Sequence, residues 1–246
     1  MINLCLDIGN TRLKAAIFNE KEELIYHNIF ASFTKNHLEK IFANFNIQQA
    51  ILSSVANHAT FINTFLEKRT FFVHLTHNTS LPITNAYATP KTLGRDRLAV
   101  VVGGKVLFPT CDILAIDAGT CITYDFIDQK NVYHGGSISL GLQMRFRALQ
   151  HFTDKLPLVN KTATSELIGK TTETAITSGV MQGTAAEMNG IIAQYRQKYP
   201  NIKVLLTGGD ANFFETQAKS EIFVRQNLVL EGLNKILNYN ATTQKQ

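Results

Sequence analysis

An apolar run that ends in an aspartate, a glycine and a threonine occurs twice in this chain, as "INLCLDIGNT" at residues 2–11 and as "DILAIDAGT" at residues 112–120. Each copy leads into a second strand-like run, "RLKAAIF" and "CITYDFID". A strand, a tight polar turn and a returning strand, repeated about 110 residues later, read as an internal duplication of one supersecondary unit. The duplication puts a domain boundary near Asp112, which gives domains of 1–111 and 112–246.

The pattern between the two copies alternates. "NHLEKIFANF" has helical spacing, "QQAILSS" that of a strand, "ANHATFINTFLEKR" that of a helix and "TFFVHL" that of a strand; a further helix starts near residues 94–97. Strands alternating with helices predict an α/β fold with a mostly parallel, helix-covered sheet in each half. In the second half, "GGSISLGLQMRFRALQHF" reads as a glycine-rich turn entering a helix. The long segment around residues 171–199 carries Ile176, Val180, Met188, Ile191, Ile192, Tyr195 and Tyr199 as a helical ladder, with Gly179 and Gly183 on or beside that face. A strand "IKVLLTGGDA" and a helix around "LVLEGLNKILNY" follow, and "NATTQKQ" reads as a loose tail.

Composition narrows the function classes. The 246 residues carry a formal charge of +5, but the basic side chains are scattered and form no stripe interleaved with aromatics, so a nucleic-acid partner is not expected. A mildly basic surface suits anionic metabolites instead. No apolar stretch approaches the roughly 18 residues of a membrane span, and Asp7 interrupts the first one. No membrane partner is therefore expected, and the predicted location is cytoplasmic. Cys5, Cys111 and Cys121 are an odd set without CxxC spacing, as in a reducing compartment.

Asp7, Gly9, Asn10 and Thr11 place a carboxylate, a flexible turn and backbone and hydroxyl donors at a strand end, with Lys14 on the next strand. Such a loop can wrap phosphate oxygens while the carboxylate faces a metal ion or its water shell. The same residues also suit any hairpin turn. Their echo in Asp117, Gly119 and Thr120, and a third strand end at Gly208 and Gly209, favours nucleotide binding: two such loops can hold one polyphosphate, and glycines let a ring or ribose approach the backbone. "IGKTTETA" contains the G-K-T that ends a Walker loop, but Thr164 stands where the first glycine belongs and no strand precedes it.

This order of motifs resembles the superfamily of actin, the heat-shock ATPases and the sugar kinases, and in detail the type III pantothenate kinases. "DIGNTRLK" resembles that family's first phosphate motif, "GRDR" its G-x-D-R, "DAGTCITYD" its second phosphate motif, "GGSISLGL" its G-G-x-I-x-P-G-L and "TGGDA" its adenosine-side motif. Leu140 stands where the family has proline. The resemblance implies two duplicated ribonuclease-H-like, actin-like ATPase domains with a nucleotide cleft between them, and ATP-dependent phosphorylation of pantothenate, the first step towards coenzyme A. A non-catalytic ATP-binding regulator and another small-molecule kinase of the superfamily are the alternatives.

Carried over residue by residue, the resemblance assigns ATP to Asp7, Ile8, Gly9, Asn10, Thr11, Arg12, Leu13, Lys14 and Thr120. It assigns Mg²⁺ to the phosphate site, a monovalent cation (potassium or ammonium) to Asp117, and pantothenate to Tyr87, Gly94, Arg95, Asp96, Arg97 and Thr172. Asp96 would be the proton acceptor. At a helix start its carboxylate is also a natural cap, and that position should hold its pKa low. The family works as a homodimer, to which the long helix would contribute.

Overall fold

The computed structural model describes residues 1–9, 11–55 and 60–243. In chain order the first half runs β1 (Asn3–Ile8), β2 (Leu13–Phe18), β3 (Leu24–Phe30), α1 (Lys35–Asn44), β4 (Gln49–Ser54), α2 (Phe61–Glu67), β5 (Phe71–His74), β6 (Thr84–Asn85) and α3 (Arg95–Leu107). The second half runs β7 (Ile113–Ala118), β8 (Cys121–Ile127), β9 (Val132–Leu140), α4 (Leu142–His151), α5 (Thr172–Lys198), β10 (Lys203–Thr207), α6 (Ala211–Gln217), β11 (Phe223–Val224) and α7 (Leu228–Thr243).

The duplication is written into the sheets. The first has the order β3-β2-β1-β4-β5, and the second runs β9-β8-β7-β10-β11, with the short β6 added beyond β9. In each, the repeated strand (β1 or β7) pairs antiparallel with its hairpin neighbour and parallel with the strand on its other side. Both central strands are covered on both faces, which explains why their sequences are almost continuously apolar. On one face of β1, Leu4, Leu6 and Ile8 join Leu38, Ile41, Phe65 and Leu66 of the first two helices. On one face of β7, Leu114 and Ile116 join Phe146, Ile176, Val180 and Met188.

Two compact units result, and neither is a contiguous half of the chain. One comprises Met1–Pro109, Lys130–His134 and Asn227–Gln246; the other comprises Thr110–Gln129 and Gly135–Gln226. A single cut near Asp112 therefore does not describe them. The reason is tertiary: α7 returns to pack on α3, and two glycines let the helices approach to backbone contact. A Cβ at Gly103 would lie 2.3 Å from the Leu228 carbonyl oxygen, and one at Gly232 would lie 1.8 Å from that of Ala99. The Asn3 side chain on β1 donates to Asn234 Oδ1 (2.7 Å) and Asn238 Oδ1 (2.8 Å) of the same helix.

Other differences from the sequence reading are local. Gly135 and Gly136, expected in a turn, lie inside β9. The expected loose tail is helical as far as Thr243. The start expected for α2, at residues 56–59, lies outside the described residues. β3, β6, α6 and β11 were not expected. No helix among the described residues is long and apolar enough to cross a membrane.

Candidate functional site

The β1–β2 turn is closed by the Gly9 N–H, which donates to the Arg12 carbonyl at 3.1 Å. Ile8 and Leu13 frame it with side chains buried in the core, so only their backbones are available to a ligand; Thr11 and Arg12 are exposed. Asn10 lies outside the described residues. Asp7, at 8% exposure, stands directly opposite Lys14 on β2 and Ser53 on β4. Paired residues on neighbouring strands point to the same side of a sheet, so a carboxylate, a cation and a hydroxyl share one face of three strand ends.

Sequence reading missed Ser53. It is fully buried, and its Oγ has no hydrogen-bond partner among the described residues. The available signal was a serine pair ending the apolar "AILSS" of β4.

The start of α3 carries the substrate-side candidates Gly94, Arg95, Asp96 and Arg97. Gly94 is the N-cap, and the Asp96 carboxylate folds back to accept from the Arg97 N–H at 2.9 Å. A Cβ at Gly94 would sit 2.6 Å from that carboxylate oxygen, so glycine here makes room for the aspartate. Burial raises the Asp96 pKa above the ordinary carboxylate value; the Arg97 N–H and guanidinium and the Lys14 charge offset this only in part. The expectation of a lowered pKa is therefore corrected: desolvation outweighs the helix-start donors.

Arg95 and Arg97 behave differently. The Arg95 guanidinium binds the carbonyls of Pro90, Lys91 and Leu93 and thereby fixes the loop that leads into α3. Arg97 is 5% exposed, with its guanidinium carbon 5.6 Å from the centre of the Tyr87 ring.

In the second unit, Asp117, the penultimate residue of β7, stands opposite Thr123 of β8 and Thr207 of β10. Gly208 has φ +100°, and a Cβ on it would fall 2.5 Å from Asp117 Oδ1 and 2.3 Å from the Ala118 carbonyl. Only glycine fits this turn for both reasons. The turn is fastened by Asp210 N–H donating to Ala118 O at 2.9 Å, and the Asp210 carboxylate pairs with Lys161 at 2.5 Å. Thr120 is exposed at the β7–β8 turn, where the Gly119 N–H donates to Cys121 O (2.9 Å) and the Gly141 N–H to Thr120 O (3.1 Å). Thr172 is the exposed first residue of α5, next to the Thr171 cap. Leu140, at the family's proline position, ends β9 with its carbonyl accepting from Arg145 Nε at 2.8 Å.

Among the described residues no group of three or more His, Cys, Asp or Glu side chains forms a metal centre. A single carboxylate beside a hydroxyl nevertheless suits Mg²⁺, which is commonly held by one or two carboxylates together with substrate phosphates.

Two open sheets of one design, each with an aspartate next to the last residue of its central strand, make up the duplicated α/β fold that the sequence implies. Solved structures agree on the fold. The activator of the 2-hydroxyisocaproyl-CoA dehydratase of Clostridium difficile, with bound ADPNP, superposes with a TM-score of 0.55 at 14% identity, covering 100% of this chain and 97% of that one. Component A of the (R)-2-hydroxyglutaryl-CoA dehydratase of Acidaminococcus fermentans does so with a TM-score of 0.55 at 12% identity, over all of both chains.

The family model of type III pantothenate kinase matches residues 3–194. A type III pantothenate kinase of Phocaeicola vulgatus is 46% identical over 97% of this chain and 99% of its own length, and one of Christiangramia forsetii is 41% identical over 98% and 100%. This chain belongs to the type III pantothenate kinase family.

Proposed function

We propose that the protein transfers the γ-phosphoryl group of ATP to the primary hydroxyl of pantothenate. Full-length membership of a pantothenate kinase family carries this reading, and the retained Asp96–Arg97 pair at the α3 start supports it. A protein that merely senses ATP needs phosphate loops but no hydroxyl-side base.

Phosphoryl transfer depends on positioning and charge neutralisation more than on covalent help from the protein. In the proposed assignment, the turn around Gly9 to Arg12 supplies backbone donors to the phosphates, with Lys14 as a cation beside them. Asp7 orients the divalent ion, which when bound neutralises phosphate charge. Thr120 contacts the nucleotide. Arg97 pairs with the substrate carboxylate, a geometry suited to guanidinium, beside Gly94 and Tyr87; Thr172 is a further residue assigned to pantothenate. Asp96 receives the hydroxyl proton, and a carboxylate whose pKa is raised by burial is a better base than an ordinary one.

Asp117 would hold a monovalent cation, whose charge would support the ATP site. We take the enzyme to be a cytoplasmic homodimer. The three cysteines are all free thiols. On α5, a Cβ at Gly179, Gly183 or Gly190 would meet nothing within 4 Å, leaving a small-residue face open to a second copy. Sedimentation that returns only the monomer mass would remove the dimer.

The direct test is incubation with ATP, Mg²⁺ and pantothenate under potassium and sodium salts. Phosphopantothenate is the expected product, and its absence in every salt would sink the assignment. Asp96→Asn should lose about a thousandfold in kcat while keeping nucleotide affinity. In the wild type, kcat/KM should fall in acid around a pKa above the usual aspartate value; the variant should lack that limb.

The sign for stability is opposite. A folded pKa raised above the unfolded one means that this aspartate's contribution is best below the unfolded pKa and is lost as pH rises through the folded pKa. Asp96→Asn should therefore melt higher than wild type at neutral pH, with the gap closing in acid.

A further inference from the structure

The segment of residues 130–134 lies far in sequence from every proposed pantothenate residue, yet it belongs to the first unit. It arrives there through a turn in which Asn131 has φ +64°, and it is then fastened to the strand that precedes Tyr87. The Thr84 N–H donates to Asn131 O at 2.9 Å and the Ala86 N–H to Tyr133 O at 3.0 Å, with Asn85 and Tyr133 in register. The Asn85 side chain accepts from the Tyr87 N–H at 3.0 Å, which fixes the backbone where the Tyr87 ring departs.

The rings continue what the backbone begins. Tyr133 is fully buried and stacks on Tyr87, with centroids 6.2 Å apart and planes 26° from parallel. Tyr87 in turn carries the Arg97 guanidinium 5.6 Å from its ring centre. Arginine stacks favourably on an aromatic face, and its planar fork recognises a carboxylate only when its orientation is fixed. A half-exposed tyrosine alone would leave that orientation loose; a buried ring packed against it restricts its rotamer.

We propose that Tyr133 is a positioning residue for the acid-binding site: its ring, acting through Tyr87, sets where the Arg97 guanidinium stands. The inference rests on the pantothenate reading above. It adds a residue from β9 that no sequence motif singles out.

The test separates this inference from the activity itself. Wild-type enzyme is first shown to form phosphopantothenate; failure there counts against the activity. With activity in hand, Tyr133→Leu and Tyr133→Met, which remove the ring, should raise the pantothenate KM about tenfold while kcat and the ATP KM stay within about twofold. Tyr133→Phe, which keeps the ring, should match wild type. In a Tyr87→Leu background, Tyr133→Leu should add little further loss, because its route of action is gone.

An unchanged pantothenate KM in the ring-less variants would overturn the proposal, as would equal losses for ATP and pantothenate, the mark of a merely structural role. Hydrogen exchange on the wild type decides the matter even where a variant does not fold. Pantothenate, but not ATP, should increase amide protection over residues 84–88 and 131–134; no increase there would also overturn it.

Discussion

The two hairpin turns are built on one scaffold and furnished differently. Each places an aspartate at the end of the central strand of its sheet, with an antiparallel partner on one side and a parallel partner on the other. In the first turn the partners are Lys14 and Ser53; in the second they are Thr123 and Thr207. Asp7 thus stands opposite a lysine, whereas Asp117 stands opposite hydroxyls and against the bare backbone of Gly208. Duplication supplies the geometry, and in the proposed assignment the cross-strand neighbours set what each aspartate serves. In that assignment the aspartate facing a lysine serves a triphosphate and its divalent ion, and the one among hydroxyl and carbonyl oxygens is proposed to serve a monovalent cation.

That contrast can be broken by substitution. Asp7→Asn should be the most damaging change, lowering kcat about a thousandfold whatever monovalent salt is present; a mild effect would show that the first turn does not serve the phosphates. Asp117→Asn should lose roughly tenfold in potassium and nothing in sodium. Equal losses in both salts would remove the cation from the second turn.

Thr123→Lys sharpens the comparison further by giving the second aspartate the first one's neighbour. It should abolish the difference between potassium and sodium at a loss of only a few-fold in rate, and a retained potassium response would show that the neighbour does not matter. The smallest effect is expected from Ser53→Ala. Removing a buried hydroxyl normally leaves stability unchanged or slightly improved unless it serves a partner. A few-fold rise in the Mg²⁺ needed for half-maximal stabilisation by ADP, measured as a melting shift, would tie Ser53 to Asp7; no rise would leave it as core packing.

Much of this was legible in the sequence because strand periodicity and turn chemistry are local. Both repeats, the α3 start near Gly94 and the ladder of α5 were readable, since each depends on residues within a few positions of one another. What escaped depends on partners that arrive later in the chain. β3 was missed because its pattern at an exposed sheet edge is weak, with Leu24, Ile25 and Ile29 left partly open. The direction of the Asp96 pKa was misjudged because a helix start is visible in sequence while burial is not. Ser53 became notable only through its register with Asp7, and Tyr133 only through its ring on Tyr87.

The packing of α7 on α3 also bears on how the chain is made. Synthesis proceeds from the amino terminus and domains tend to fold as they emerge, yet the helix that packs on α3 is encoded after the whole of the second unit. The second unit is fully synthesised before the first can be completed. Until the ribosome releases residues 228–243, the helix bearing Asp96 lacks its partner across Gly103, and the nascent first unit must wait with that surface uncovered. A chain truncated before Leu228 would therefore keep every motif proposed for chemistry and still leave the helix that bears Asp96 without its packing partner.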